Sequence, residues 1–430
     1  MPKYWGLSLV RDPGRKKAQS TLLGLRWMLG LGLLALAGNV ARAQSPASGD
    51  KLHQTMQRSQ LSGDLGHDLG HHLGHATSAT SSKPKTLNPE QSALRKTLLR
   101  DAEAALSRRE TEQAEVLFDR AANILHSADT EIGLVRTYMQ AGAYRRALAF
   151  GAHTAGVHLD VVGGSALYAW LLQAGGQQGV AQRLLDDTLA RQPDNIFMQV
   201  VAKQLRSGKP LANARLQVPP TRLAPYGDMK GLSARTRVAG SAVLLSDGSH
   251  ALTATSLLLA HSLVWVRNGL GQLSPARIQR HYPRWGVTVL ALERALPTAQ
   301  ELKSHVGPVF PGAAGYALTY VVHTPGDAAW PLLNIGFIGP PVGKGAQLAL
   351  GIELKDSSGG GPVLDAAGRL LGIAVTAPRL GAPRLVSTQE LQQAGIVLAP
   401  PAHNGPAPRA MLDQMYEAGL KTALQLIISG

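Results

Sequence analysis

Between residues 88 and 206 apolar residues recur at intervals of three and four, in segments dominated by Ala, Leu, Gln, Arg and Glu. That is the period of amphipathic helices. Three stretches, AALSRRETEQAEVLFDRAANIL, TYMQAGAYRRALAFGAHTA and AWLLQAGGQQGVAQRLLDDTLARQPDN, each read as helix, short turn, helix. Small residues fall in register across them: Gly142 and Gly176 are 34 apart, as are Ala147 and Ala181, and Ala114 precedes Ala147 by 33. A fixed period of this size predicts stacked helical hairpins whose small residues let paired helices approach. Residues 207–235 are punctuated by Pro and Gly and read as a linker. From Thr236 the pattern changes to short β-branched and Leu runs separated by turn residues: AGSAVLL, HALTA, LVWVR, ARIQRHY, VTVLAL, GYALTYVV, LLNIGFIG, QLALGI, GPVLD and RLLGIAV. Closely spaced strands of this kind predict a barrel or sandwich over 236–400. Residues 401–430 then carry a helix from Arg409 to about Leu424 and an apolar tail, Gln425-Leu-Ile-Ile428.

The first 43 residues change the compartment and the charge. Lys3, Arg11, Arg15, Lys16, Lys17 and Arg26 precede a 12-residue apolar run, Trp27–Gly38, and Ala41-Arg42-Ala43 is a small-x-small cleavage site. The run is shorter than the roughly 20 residues a spanning helix needs, so 1–43 reads as a secretory signal peptide, with an uncleaved anchor as the alternative. A periplasmic or secreted protein is expected. Taking the segment's seven Lys/Arg and one Asp from the chain's 43 and 28 leaves 36 and 27, a net +9 in place of +15. That excess predicts weak attraction to anionic membrane or wall surfaces. Nucleic acid is excluded as a partner by location and by the lack of a recognition motif. There is no Cys, which removes disulfides, thiol nucleophiles and a lipidated N-terminal Cys from consideration.

Residues 44–87 are rich in Ser, Gly, His and Gln without an apolar period and read as disordered. They contain a four-residue repeat, Asp64-Leu-Gly-His67, Asp68-Leu-Gly-His71 and His72-Leu-Gly-His75. His67, His71, His72 and His75 are candidate ligands for Zn, Cu or Ni, to which imidazole is suited. The recurring Gly disfavours the helix that would align them, and a solvated spacer is the alternative reading. No other cofactor is expected.

The 34-residue period of 88–206 resembles the tetratricopeptide repeat family over about three units, the last ending Leu189-Ala190-Arg191-Gln192-Pro193-Asp194. A plain helical bundle is the competing reading. The resemblance implies a concave surface for a peptide or partner helix, on which Arg136, Arg145, Arg146 and Arg183 are candidates.

Residues 239–376 resemble bacterial trypsin-like serine proteases of the HtrA type, in three ordered blocks. Gly240-Ser-Ala-Val-Leu-Leu-Ser-Asp247-Gly248 leads into Leu252-Thr253; Ala276-Arg-Ile leads to Gly286-Val-Thr-Val-Leu290; and Gly359-Gly-Gly361-Pro362-Val-Leu-Asp365-Ala-Ala-Gly368 leads to Gly372-Ile. The resemblance implies a double β-barrel and a Ser–His–carboxylate triad, because a Ser hydroxyl is a poor nucleophile until an oriented His takes its proton. At the family's His, Asp and Ser positions this chain has Ser256, Gly286 and Gly359. One inserted Gly would make Ser358 the nucleophile, but no base follows: His250, His261, His281 and His323 fall outside the family's His position. The loop Asp356-Ser357-Ser358-Gly359-Gly360 keeps the backbone of an oxyanion site, with Ser357, Gly359 and Gly360 as candidate donors; glycines that merely preserve the turn are the alternative. Met411–Ile428 resembles the helix and strand that open the family's protease domain, so the tail is expected to supply the barrel's first strand. The expected function is an exported pseudoprotease that binds a protein or peptide through its repeats, its degenerate cleft or both. A serine endopeptidase with a rearranged site and a His-rich metal-handling protein are the alternatives.

Overall fold

The computed structural model describes residues 87–207, 229, 231–258, 263–299, 302–323, 328–342, 347–355, 359–376, 383–403 and 407–429. The signal segment, the His tract, most of the 207–235 linker, His261, Ser357 and Ser358 lie outside them. Among the described residues no helix is long and apolar enough to cross a membrane. The described residues belong to one compact unit, Lys85–Gly430.

The helical part contains α1 (Pro89–Ser107), α2 (Thr111–Ile124), α3 (Ala128–Ala141), α4 (Tyr144–Val157), α5 (Val162–Ala174), α6 (Gln178–Arg191) and α7 (Ile196–Arg206). Helix α1 starts where the sequence provides both a cap and a compatible first residue: Asn88 accepts from Gln91 N–H at 2.7 Å and Pro89 follows. The recurring small residues have the expected use. Ala114, Ala147 and Ala181 are fully buried between paired helices. The turns recur as well: Arg109, Gly142 and Gly176 all take positive φ (67°, 78° and 79°). Phe118 packs directly on Gly133 of α3, where a side chain would fill the ring's place.

The β part forms two closed barrels. The first runs β1 (Thr236–Leu244), β12 (Ala423–Ser429), β3 (Val264–Asn268), β4 (Leu273–Tyr282), β5 (Val287–Leu292), β2 (His250–Ala254). The second runs β10 (Leu370–Thr376), β11 (Pro383–Ser387), β8 (Leu348–Gly351), β7 (Leu332–Pro341), β6 (Ala314–Thr319), β9 (Pro362–Leu364). The double β-barrel expected from the sequence is present.

The two strand orders are the same once β12 is counted as the first strand of the first barrel. Each then reads first, fourth, fifth, sixth, third, second around the ring, so the two barrels share one topology. The first barrel is therefore permuted. Its opening strand follows the second barrel in sequence, pairing antiparallel with β1 (Thr236↔Ser429 to Val243↔Ala423) and with β3 (Ile428↔Val264 to Leu424↔Asn268). The segment 401–430, set apart in the sequence reading, thus completes the first barrel. Strand β11 was absent from the expected strands; it pairs with β10 and β8.

Between β11 and β12 lie α8 (Thr388–Gln393), capped by Ser387 with Glu390, and α9 (Leu412–Thr422). Helix α9 joins the helical part to the barrels. Leu420 accepts from Gly269 N–H at 2.7 Å through its carbonyl and packs in a small apolar cluster with Leu270, flanked by Tyr144 and Trp330, whose rings meet edge to face. Arg145 holds Glu417 through its backbone N–H (3.0 Å), Nε (3.0 Å) and Nη2 (2.8 Å). Both side chains are part-exposed, so screening limits the pair. A double-mutant cycle of Arg145→Ala with Glu417→Gln, followed by thermal unfolding, is expected to give a coupling of about 1 kcal/mol. A coupling near zero would assign the junction to its apolar contacts alone.

Candidate functional site

Strand β2 ends in a single 3-10 turn, Thr255–Leu257, which places Ser256 at the surface. Its hydroxyl donates to Thr376 O, at the end of β10, over 3.3 Å. Gly286 sits in the β4–β5 turn at φ +66°, its N–H bonded to Tyr282 O and Pro283 O, and its carbonyl accepts from Thr255 N–H at 2.9 Å. A Cβ on Gly286 would lie 3.4 Å from Arg384 Nη2 and 3.7 Å from Val375 Cγ1. Gly359 is buried, and a Cβ there would lie 2.8 Å from Thr376 Oγ1. The fold thus brings the three positions to one place, around the end of β10 and its β11 neighbour Arg384, which pairs with Val375.

No proton relay is built there from the described residues. Thr255 and Thr288 share a hydroxyl–hydroxyl bond of 2.8 Å, and His281 Nδ1 meets Thr288 Oγ1 at 2.9 Å. His281 is therefore bonded to Thr288 and not to Ser256. His250 lies in a tight turn with Asp247 and Ser249, but Asp247 Oδ2 (2.6 Å) and Ser249 Oγ (3.3 Å) share the same ring nitrogen, Nδ1. A relay needs the carboxylate on one nitrogen and the hydroxyl on the other. His323 bonds Val321 O through Nδ1 and Gln425 through Nε2. Among the described residues no imidazole bridges a hydroxyl and a carboxylate.

The glycine block divides into parts. Gly360, expected as an oxyanion donor, gives its N–H to Ala374 O at 2.7 Å, so it is withdrawn from the donor set: the hydrogen bond belongs to the fold. Gly359 joins the barrels through its carbonyl, which accepts from Ser241 N–H at 3.0 Å, while its N–H has no hydrogen bond among the described residues. Ser241 is fully buried; its carbonyl accepts from Thr253 Oγ1 (2.7 Å) and its hydroxyl from Tyr320 N–H (2.8 Å).

Two groups that the sequence did not single out stand at this place. Thr376 touches both Ser256 and Gly359. Arg384 stands beside Gly286, and its Nε is buried without a hydrogen bond among the described residues. No sequence signal marks either one, since both sit at strand ends among apolar neighbours. Of the arginines expected on a binding groove, Arg136 pairs with Glu103 at 2.7 Å, Arg145 with Glu417, and Arg146 with Glu115 at 2.6 Å while stacking on Tyr138. Those pairings use them within the molecule.

No protein-family model and no curated protein matches the chain. Solved structures do. The chain is similar to the MamO protease domain from Magnetospirillum magneticum in its apo form, at 18% identity and a TM-score of 0.31, over 38% of this chain and 91% of that one. It is similar to a protease from M. tuberculosis in its active form, at 18% identity and a TM-score of 0.30, over 41% and 84%. It is also similar to the HtrA-type protease AlgW with a decapeptide, at 17% identity and a TM-score of 0.28, over 36% of this chain; only half of that chain is spanned.

Proposed function

We propose that this chain is an exported, catalytically inactive protein of the trypsin-like fold that binds peptide or protein segments, with tetratricopeptide-like hairpins docking a partner. The observation that carries this reading is the content of the three triad positions: Ser256, Gly286 and Gly359, gathered around Thr376 and Arg384 with no imidazole relay among the described residues. A guanidinium whose buried Nε has no partner among the described residues, and a Gly359 N–H that makes no hydrogen bond among them, favour a carboxylate or carbonyl and supply no base. The ligand class this supports is a peptide presenting a free carboxylate.

Incubation of the full chain with a fluorophosphonate is expected to leave Ser256 and Ser358 unmodified, and casein uncleaved. Peptides with a free C-terminal carboxylate are expected to bind at least about tenfold more tightly than their amidated forms. Arg384→Ala should remove that preference, as loss of a buried Arg anchor costs roughly 2 kcal/mol or more. Hydrolysis that disappears in Ser358→Ala would overturn the inactive reading. Equal binding of acid and amide would overturn the role of Arg384.

A further inference from the structure

The α2–α3 loop and the α3–α4 hairpin enclose a buried carboxylate among three imidazoles. Glu131, in the first turn of α3, has 0% exposure. Its Oε1 lies 2.9 Å from His126 Nε2, 3.2 Å from His158 Nε2 and 3.5 Å from His153 Nε2. His126 comes from the loop before α3, His153 from the C-terminal half of α4, and His158 caps α4. The Thr154 side chain adds a fourth polar neighbour, and these groups hold the Glu131 carboxyl well below the usual carboxylate range against the cost of its burial.

A carboxylate buried this deeply needs positive charge or donors around it, and here three ring nitrogens converge on one of its oxygens. The same atoms suit a cation placed between them. The donor atoms of His126, Glu131 and His153 all lie within 4.8 Å of one another. Metal–ligand bonds of about 2.0–2.2 Å in a tetrahedron put donor atoms about 3.3–3.6 Å apart, close to the 2.9–3.5 Å spread around Oε1. Imidazole nitrogen with one carboxylate oxygen and no thiolate is a borderline donor set that favours Zn²⁺ over hard cations.

We propose that His126, Glu131 and His153 form a Zn²⁺ site that clamps the start of α3 to the end of α4, with His158 beside the Glu131 carboxylate. The ion satisfies the buried carboxylate and fixes the geometry of one hairpin in the stack. The role is structural, because the ligands come from the loop before α3, from α3 and from α4, which the ion would tie together. None of its ligands belongs to the barrels or to the His67–His75 tract.

The test uses the full chain with His67, His71, His72 and His75 all changed to Ser, so that the tract contributes nothing. After chelator treatment it is dialysed against Zn²⁺ or Mg²⁺ and the bound metal is measured. One equivalent of Zn²⁺ and no Mg²⁺ is expected, with a higher melting temperature in Zn²⁺. His126 is the most exposed ligand, with 57% of its side chain accessible, so His126→Ala should fold; it is expected to weaken Zn²⁺ binding by roughly a hundredfold, since even outer-shell partners cost 10–100-fold. Glu131→Gln should do the same, and X-ray absorption should show a nitrogen/oxygen shell with imidazole scattering. Zinc binding that vanishes with the tract substitutions, or that survives both His126→Ala and Glu131→Gln unchanged, would overturn the site.

Discussion

Deleting residues 423–430 is expected to unfold the first barrel completely while leaving the helical hairpins formed. Strand β12 lies between β1 and β3, so its loss exposes two inner edges at once and opens a closed ring. Leu424, Leu426, Ile427 and Ile428 are each 0% exposed. Burying one such side chain contributes about 1.5–3 kcal/mol, so the four together approach the net stability of about 5–15 kcal/mol typical of a whole domain. The polar contacts fail as well. Gln425 accepts from the buried Arg267 Nε at 2.6 Å, and its removal takes that acceptor away from a buried donor. Hydrogen exchange is the measurement: amides of β1 and β3 should lose protection, while those of α3 to α6 keep theirs. Leu426→Asp, which buries a carboxylate without a partner, should reproduce the loss in the intact chain. Protection of β1 and β3 at the level of the unaltered protein would mean that β12 is a dispensable cover and that the barrel closes without it.

The position of β12 was legible in the sequence, because Met411–Ile428 carries the helix-and-strand pattern that ordinarily opens such a domain. The strand alternation from Thr236 to Thr376 was legible too; His250–Ala254 and Val287–Leu292 form strands over the residues read. Strand β11 was not, because PRLVS opens on Pro, places Arg384 second and offers too few apolar residues to register as a run. Its missing signal hid Arg384, whose guanidinium stands beside Gly286. In the helical part, the period was visible in alanines and glycines, but the first turn uses Arg109 where the later turns use Gly142 and Gly176. The His126–Glu131–His153–His158 cluster was illegible for another reason. Its members lie on three elements, at spacings of 5, 22 and 5 residues, and only the folding of α4 back along α3 brings them together. The conspicuous His tract drew attention on composition alone, and composition says nothing of convergence.

Gly360→Ala should be far more damaging than Gly359→Ala, although the two residues are adjacent in a block that resembles a nucleophile turn. Gly360 has φ +89°, and a Cβ there would overlap the carbonyl oxygen of Ser241 on β1. That oxygen cannot step aside. It is backbone, it accepts from Thr253 Oγ1, and the same residue donates its N–H to Gly359 O and accepts Tyr320 N–H on its hydroxyl. A left-handed conformation costs a non-glycine residue about 1–2 kcal/mol, and overpacking of a fixed core adds about 1–3 kcal/mol. The expected loss is therefore about 2–5 kcal/mol, read as a fall in the denaturant midpoint. At Gly359 the closest approach of an added Cβ is the Thr376 hydroxyl at 2.8 Å, with Thr376 Cγ2 and its backbone N at 3.4 Å; the side chain can turn, so the loss should be about 1 kcal/mol. This contrast decides what the surviving glycines are for. A large effect at Gly360 identifies the block as the close contact that locks one barrel to the other, a reason to keep Gly with no catalysis to serve. A small effect there would leave the close approach unexplained and would return the turn to the list of ligand-binding backbones.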